Sequence, residues 1–372
     1  MGVWLLLYAF SSAGATTLAS ADDLTGRKTE NVVLITFDGL RWQEVFQGCD
    51  ETLLNRDQGG GVRDVPTLKS RFWRETPEER RQALFPFFWQ TMAAKGQVFG
   101  DPAHKCRARV TNGRNFSYPG YNEILTGFSD EKIDSNDKKY NSNVTVLEWL
   151  HGRPGFSGRV AAFCAWDVFP FIINSRRSGI PVNAGWMPFE VANDQVRLTA
   201  LNDAVRDATH VFGNVRDDGL TFHGALEYMQ AKKPRVCYIA FGETDDWAHE
   251  GRYDVVLDAA RRTDGFIERL WNTLQTMPEY AGKTSLVLTT DHGRGETRVE
   301  WKNHGKDTWG SDQIWVAVMG PDTPAAGCRS DLDVTQSQVA ATLSELLGED
   351  YHAAVPKSGV PLPGVLATLE NP

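Results

Sequence analysis

Short apolar runs rich in β-branched residues recur along the chain, and each gives way to polar, glycine-bearing residues. Asn31 to Phe37 reads NVVLITF and runs into Asp38-Gly39, and Arg159 to Ala165, Arg235 to Phe241, Thr284 to Thr290 and Ile314 to Met319 repeat the pattern. Runs this short, with little polar alternation, predict strands buried on both faces, as in a parallel sheet. Between them, Val144 to Leu150, Asp194 to Phe212, Leu220 to Ala231, Tyr253 to Met277 and Thr335 to Leu347 predict helices. The last would bury Val339, Leu343, Leu346 and Leu347 and stop at Gly348. The alternation argues for an α/β fold with a mostly parallel central sheet flanked by helices on both faces.

Residues 47–97 interrupt this rhythm and predict a small helical insertion. Gly59-Gly60-Gly61 marks a loop, and Thr76-Pro77-Glu78-Glu79 combines a capping-box spacing with proline at the first helical position. Pro86 separates that helix from a second, Phe87 to Lys95, which Gly96 ends. Val98 to Val110 is expected to bring a strand toward Ser117, with Lys105, Arg107, Arg109 and Arg114 mostly solvated. The Pro/Gly-rich stretch from Pro356 to Gly364 predicts a surface loop.

The first residues change the picture of where the protein works. Val3 to Phe10 is apolar and Ala19-Ser20-Ala21 follows, so residues 1–21 resemble a secretory signal with an A-x-A cleavage site, although no Lys or Arg precedes the run. The run is too short to anchor a chain in a bilayer. The expectation is a periplasmic or secreted protein, residues 22–372 forming one domain without stable membrane insertion.

A net charge of -9 over 372 residues argues against binding a nucleic-acid polymer, which needs a basic face. A small anionic substrate stays open, because bound divalent cations reverse the local potential. Cys49, Cys106, Cys164, Cys237 and Cys328 form no C-x-x-C pair, which argues against a zinc ribbon. Cys164 and Cys237 lie in apolar runs and read as core, while an exported chain leaves one or two disulfides open.

The chemistry-bearing residues gather at the ends of the predicted strands, where open α/β sheets bind ligands. Asp38 follows the first. Gly242 to Gly251 (GETDDWAHEG) follows another and sets Asp245 and His249 four residues apart, one helical turn. Asp291 and His292 follow a third, and His304 lies in a polar loop further on. Ser117 stands at a turn before an amphipathic run, where a serine is by default a helix cap. Aspartates and histidines on four segments are a cation-ligand set.

These segments, FDGLR at Phe37 to Arg41, S-x-P seven residues before TG in Ser117 to Gly127, ETDDWAHEG at Glu243 to Gly251, TTDHG at Thr289 to Gly293 and NHG at Asn303 to Gly305, resemble in order and context the alkaline phosphatase superfamily, most closely its nucleotide pyrophosphatase/phosphodiesterase-like branch. The resemblance implies an alkaline phosphatase-like fold and two divalent metal ions, for which the ligand set suits zinc. One would be held by Asp245, His249 and His304, and the other by Asp38, Asp291 and His292 with the Ser117 oxygen. It implies that Ser117 attacks phosphorus and forms a phosphoserine intermediate. Phosphate oxygens would meet the Ser117 backbone N–H and Asn136, with Asn141 and Asn143 as competitors.

Sulfatases share the S/C-x-P frame, but their maturation signal has arginine two residues after the proline, where this chain has Tyr121. An unmodified serine and phosphoryl chemistry are expected. The resembled branch commonly uses threonine as nucleophile, so serine leaves phosphodiester and phosphomonoester substrates close together. A phosphotransferase or mutase, a sulfatase-like hydrolase and a non-catalytic metal- or carbohydrate-binding module are the alternatives. Asn115-Phe116-Ser117 and Asn143-Val144-Thr145 match the glycosylation pattern, but a glycan on Asn115 would block the site. Trp166, Trp186, Trp247, Trp301 and Trp309 lie near the motifs, most of them read as core.

Overall fold

The computed structural model describes residues 26–367, and the signal-like segment falls outside the described residues. Among the described residues ten strands occur in chain order: β1 (Asn31–Phe37), β2 (Gln97–Phe99), β3 (Arg107–Arg109), β4 (Val160–Cys164), β5 (Val182–Ala184), β6 (Val236–Phe241), β7 (Thr284–Thr290), β8 (Val316–Met319), β9 (Gly327–Cys328) and β10 (Asp333–Thr335). Eight form one sheet in the order β5-β4-β6-β1-β7-β8-β2-β9, and β10 pairs with β3 separately. Only β8 runs against the rest of the large sheet, pairing antiparallel with both β7 and β2. The sheet is α/β and mostly parallel, in line with the sequence pattern.

Period-two alternation along β1 divides the interior. Val33, Ile35 and Phe37 point into a core with the helix Tyr253–Leu274 and the apolar residues of segment 47–97, such as Leu68, Phe72 and Phe88. Val32 and Leu34 point into a second core with Tyr121, Ile124 and Leu125 and with the helix Val339–Leu346. Both sheet faces are covered because every central strand is apolar on both sides. The ends of β1, β6 and β7 therefore meet at one edge, carrying Asp38, Gly242 to Asp246, and Asp291-His292.

Thr76 caps the helix Pro77–Leu84 through a complete capping box with Glu79. The next helix contains a wide π-helical turn at Phe88–Met92 and ends at Gly96. The glycine loop of this segment reaches the site's border: Trp301 Nε1 donates to the Gly59 carbonyl at 2.9 Å, and Tyr253 N to that of Gly60 at 3.0 Å.

Several expectations need correction. Val98 to Val110 is no single strand: β2 joins the large sheet, a turn at Pro102–His104 follows, and β3 joins the small one. The helix expected to reach Phe212 ends at Asp207, and the long one ends at Leu274. The tail is more than a surface loop, since Leu362 and Val365 are buried in the second core. All five cysteines are unpaired. Trp301 is buried as expected, whereas Trp309 is 76% exposed.

Candidate active site

Ser117 opens the helix Ser117–Thr126, but the capping position belongs to Phe116, and the serine side chain makes no capping bond. Its Oγ instead lies 3.5 Å from His292 Nε2. Gly120 permits this approach, because a Cβ there would stand 2.4 Å from the Asp291 carbonyl oxygen. The default reading of Ser117 as a cap is thereby removed.

Around His292 the groups fit a cation. His292 Nδ1 donates to the Gly293 carbonyl at 2.9 Å, which leaves the Nε2 lone pair facing the site. That nitrogen lies 3.4 Å from Asp38 Oδ1 and 3.4 Å from Asp291 Oδ2. Both carboxylate oxygens are buried without a hydrogen-bond partner. Ligand atoms on a tetrahedral zinc with bonds of about 2.0 Å stand about 3.3 Å apart, so this spacing suits the ion. The remaining oxygens are held by neutral donors: Tyr121 donates its hydroxyl to Asp38 Oδ2 at 2.9 Å, and Gly39 N–H donates to Asp291 Oδ1 at 3.0 Å. Burial, and then the neighbouring carboxylates, push Asp38 and Asp291 well above the ordinary carboxylate range. A buried pair of carboxylates without a counter-charge is what a divalent cation relieves.

The second group is more open. His249 Nε2 lies 3.2 Å from Asp245 Oδ2 and 3.0 Å from His304 Nε2, and His304 Nε2 lies 3.7 Å from Asp245 Oδ1. His304 Nδ1 donates to the Asn115 carbonyl at 3.1 Å, so its Nε2 is the free nitrogen. Burial, with His292 adding to it, pushes His304 down to about 2 and keeps the ring neutral, the form that ligates. Burial would raise Asp245, but Arg294 beside it, with the hydrogen bond from His249 and the neighbouring histidines adding to it, outweighs this and holds its carboxyl well below the usual range. Asp245 Oδ1 lies 3.8 Å from His292 Nε2, so the two groups adjoin.

A cavity of about 340 Å³ opens over these residues, lined by Asp38, Ser117, Asn136, Lys138, Trp166 and Asp246 among others. Asn136 Oδ1 accepts the Tyr118 N–H at 3.0 Å. Asn141 and Asn143 instead bond Asn122 behind the Ser117 helix, at 3.0 and 3.2 Å. Asn115 is buried with a left-handed φ of 54°, and its side chain donates to Ser311 at 3.2 Å. It is unsuited to carry a glycan. Arg107 and Arg109 are exposed.

Sequence reasoning read Tyr121 only as a departure from the sulfatase signal, and it passed over Arg294 and Asp246. Asp246 carries a buried oxygen without a partner, and burial together with Asp245 pushes its carboxyl up to about 8. Its position one residue after a ligand candidate was the available signal.

Comparison with solved structures shows the same fold. Murine ectonucleotide pyrophosphatase/phosphodiesterase 5, solved with AMP, superposes with a TM-score of 0.51 at 12% identity over 87% of this chain and 96% of that one. A phosphonate monoester hydrolase from Silicibacter pomeroyi gives 0.54 at 14% identity over 92% and 78%. A lipoteichoic acid synthase from Listeria monocytogenes gives 0.53 at 9% identity over 87% and 73%. A sequence search of curated proteins found no match. The model of the type I phosphodiesterase / nucleotide pyrophosphatase family matches residues 65–364, most of the chain, and the protein belongs to that family.

Proposed function

We propose that the protein is a two-metal phosphohydrolase that cleaves phosphate diesters with Ser117 as nucleophile. The observation that carries this reading is the Ser117 Oγ placed 3.5 Å from His292 Nε2, beside two unpartnered carboxylate oxygens. Asp38, Asp291 and His292 would hold one cation with Ser117, and Asp245, His249 and His304 the other. Bound there, divalent cations such as zinc supply positive charge that makes the serine hydroxyl easier to ionise and stabilises negative charge on the departing oxygen.

Ser117 Oγ attacks phosphorus, and the bond from phosphorus to the leaving alcohol breaks. The serine then carries the phosphoryl group with its retained alcohol, and water cleaves that bond to free the enzyme. The Ser117 N–H, at the start of its helix, can meet a non-bridging oxygen. Asn136 uses its carbonyl on Tyr118, which leaves its NH₂ group as a second donor toward the cavity.

Above about pH 8, where it is ionised, Asp246 favours a diester over a monoester, because its partnerless oxygen would then oppose the extra negative charge of a monoester. Lys138, the cation lining this cavity, is tied to Asp167 at 2.6 Å. The test is zinc-loaded enzyme assayed side by side on a nitrophenyl phosphate diester, the monoester and the sulfate. Preference for the diester supports the proposal, and preference for the sulfate contradicts it.

A further inference from the structure

Arg294 is buried, and its whole guanidinium is spent on the site. Nε donates to the Gly39 carbonyl at 3.1 Å, Nη1 to that of Lys302 at 2.7 Å, and Nη2 to that of Asp245 at 3.1 Å. Nη2 also pairs with Asp245 Oδ1. A Cβ on Gly39 would stand 2.7 Å from Asp245 Oδ1 and 2.9 Å from Arg294 Nε, so the charge pair is packed directly under the turn that follows Asp38.

The two ligand groups therefore differ in how far their carboxyl oxygens are already occupied. Asp38 and Asp291 each give one oxygen to a neutral donor and keep the other without a partner, so two carboxyl groups with no cationic side chain bonded to them face His292 Nε2. Asp245 is already paired with a fixed guanidinium, and the other two members of its group are histidines. The groups differ in exposure too. Asp291 and His292 are 0% exposed, whereas the His249 side chain is 43% exposed and that of Asp245 is 15%. Attraction is strongest where charge is uncompensated and water is excluded.

We propose that Arg294 makes the two cation sites unequal: the Asp38/Asp291/His292 site binds tightly and first, and the Asp245/His249/His304 site binds weakly and exchanges with free zinc. The inference rests on the two-metal reading above. Between the two dissociation constants the protein is folded but singly loaded, so free zinc sets the fraction competent for turnover.

The test is calorimetric titration of the metal-free full chain with zinc, using chelator competition for the tighter class. Two classes of one ion each are expected, separated by at least about 10-fold, the scale that one contact to a ligand commands, and narrowing to within about threefold in Arg294→Met. Arg294→Lys keeps the charge and the separation. His304→Ala loses the weak class alone, and Asp291→Asn the tight class alone. Two equal classes in the wild type, loss of the tight class in His304→Ala, or an unchanged or wider separation in Arg294→Met overturns the proposal. Should Arg294→Met not fold, the wild-type and His304→Ala titrations still decide. Zinc binding in neither class would overturn the two-metal reading along with it.

Discussion

Tyr121 donates its hydroxyl to Asp38 at 2.9 Å, one helical turn beyond Ser117, so the helix that presents Ser117 also fixes a ligand candidate. Tyr121→Phe keeps the ring packed against Phe169 but leaves Asp38 Oδ2 without its donor. Turnover or zinc affinity should fall by about 10- to 100-fold while the melting temperature of the metal-free protein changes little. Steady-state kinetics at several zinc concentrations checks this, and unchanged kinetics would remove Tyr121 from the site.

Asn115 holds His304 through its carbonyl and does so from a left-handed backbone. Asn115→Ala should cost about 1–2 kcal/mol of stability through that conformation, and Asn115→Gly less. Urea denaturation of the two variants measures the difference.

Gly120 lies where the Ser117 helix crosses the end of β7. Gly120→Ala forces the helix away from the Asp291 carbonyl and should abolish activity. A variant that folds by circular dichroism and retains wild-type turnover would show that the helix position is not critical.

Asp264 accepts the N–H groups of Phe87 and Phe88, each at 2.9 Å, and anchors segment 47–97 to the helix Tyr253–Leu274. Burial, opposed by these bonds, raises its carboxyl to about 6. A folded pKa above the unfolded value means that ionisation costs stability. The cost is absent below about pH 4 and fully developed above about pH 6. Asp264→Asn cannot ionise, but its single carbonyl leaves one N–H unpaired, at about 1–3 kcal/mol. Its deficit relative to wild type should be largest near about pH 4 and shrink as pH rises to about 6. Denaturation curves across that range test the sign.

How much of this was legible in the sequence depends on the range of the forces involved. β1 and β7 match the sequence-based strands residue for residue, because long β-branched runs specify a buried strand locally. The capping box at Thr76 is equally local. β2 and β3 were merged because three-residue strands carry no period, and their partners, β8 and β10, lie more than 200 residues away. Ser117, Asp38, Asp245, His249, Asp291, His292 and His304 stood out because each follows a strand or a glycine-marked turn, and the structure brings them into one space. Arg294 did not stand out. An arginine in a glycine-rich loop reads as solvated, and only the fold shows three carbonyls and a carboxylate converging on it. Tyr121 was visible as a residue type, but its bond to Asp38 spans 83 positions.

The central claim is that Ser117 attacks phosphorus in a zinc-supported site. Zinc-loaded enzyme quenched in acid during turnover of a nitrophenyl diester, followed by peptide mass spectrometry, tests it most directly. The account predicts the phosphoryl group with its retained alcohol on Ser117, and no adduct or turnover in Ser117→Ala. Undiminished turnover in Ser117→Ala, or an adduct on another residue, would contradict it.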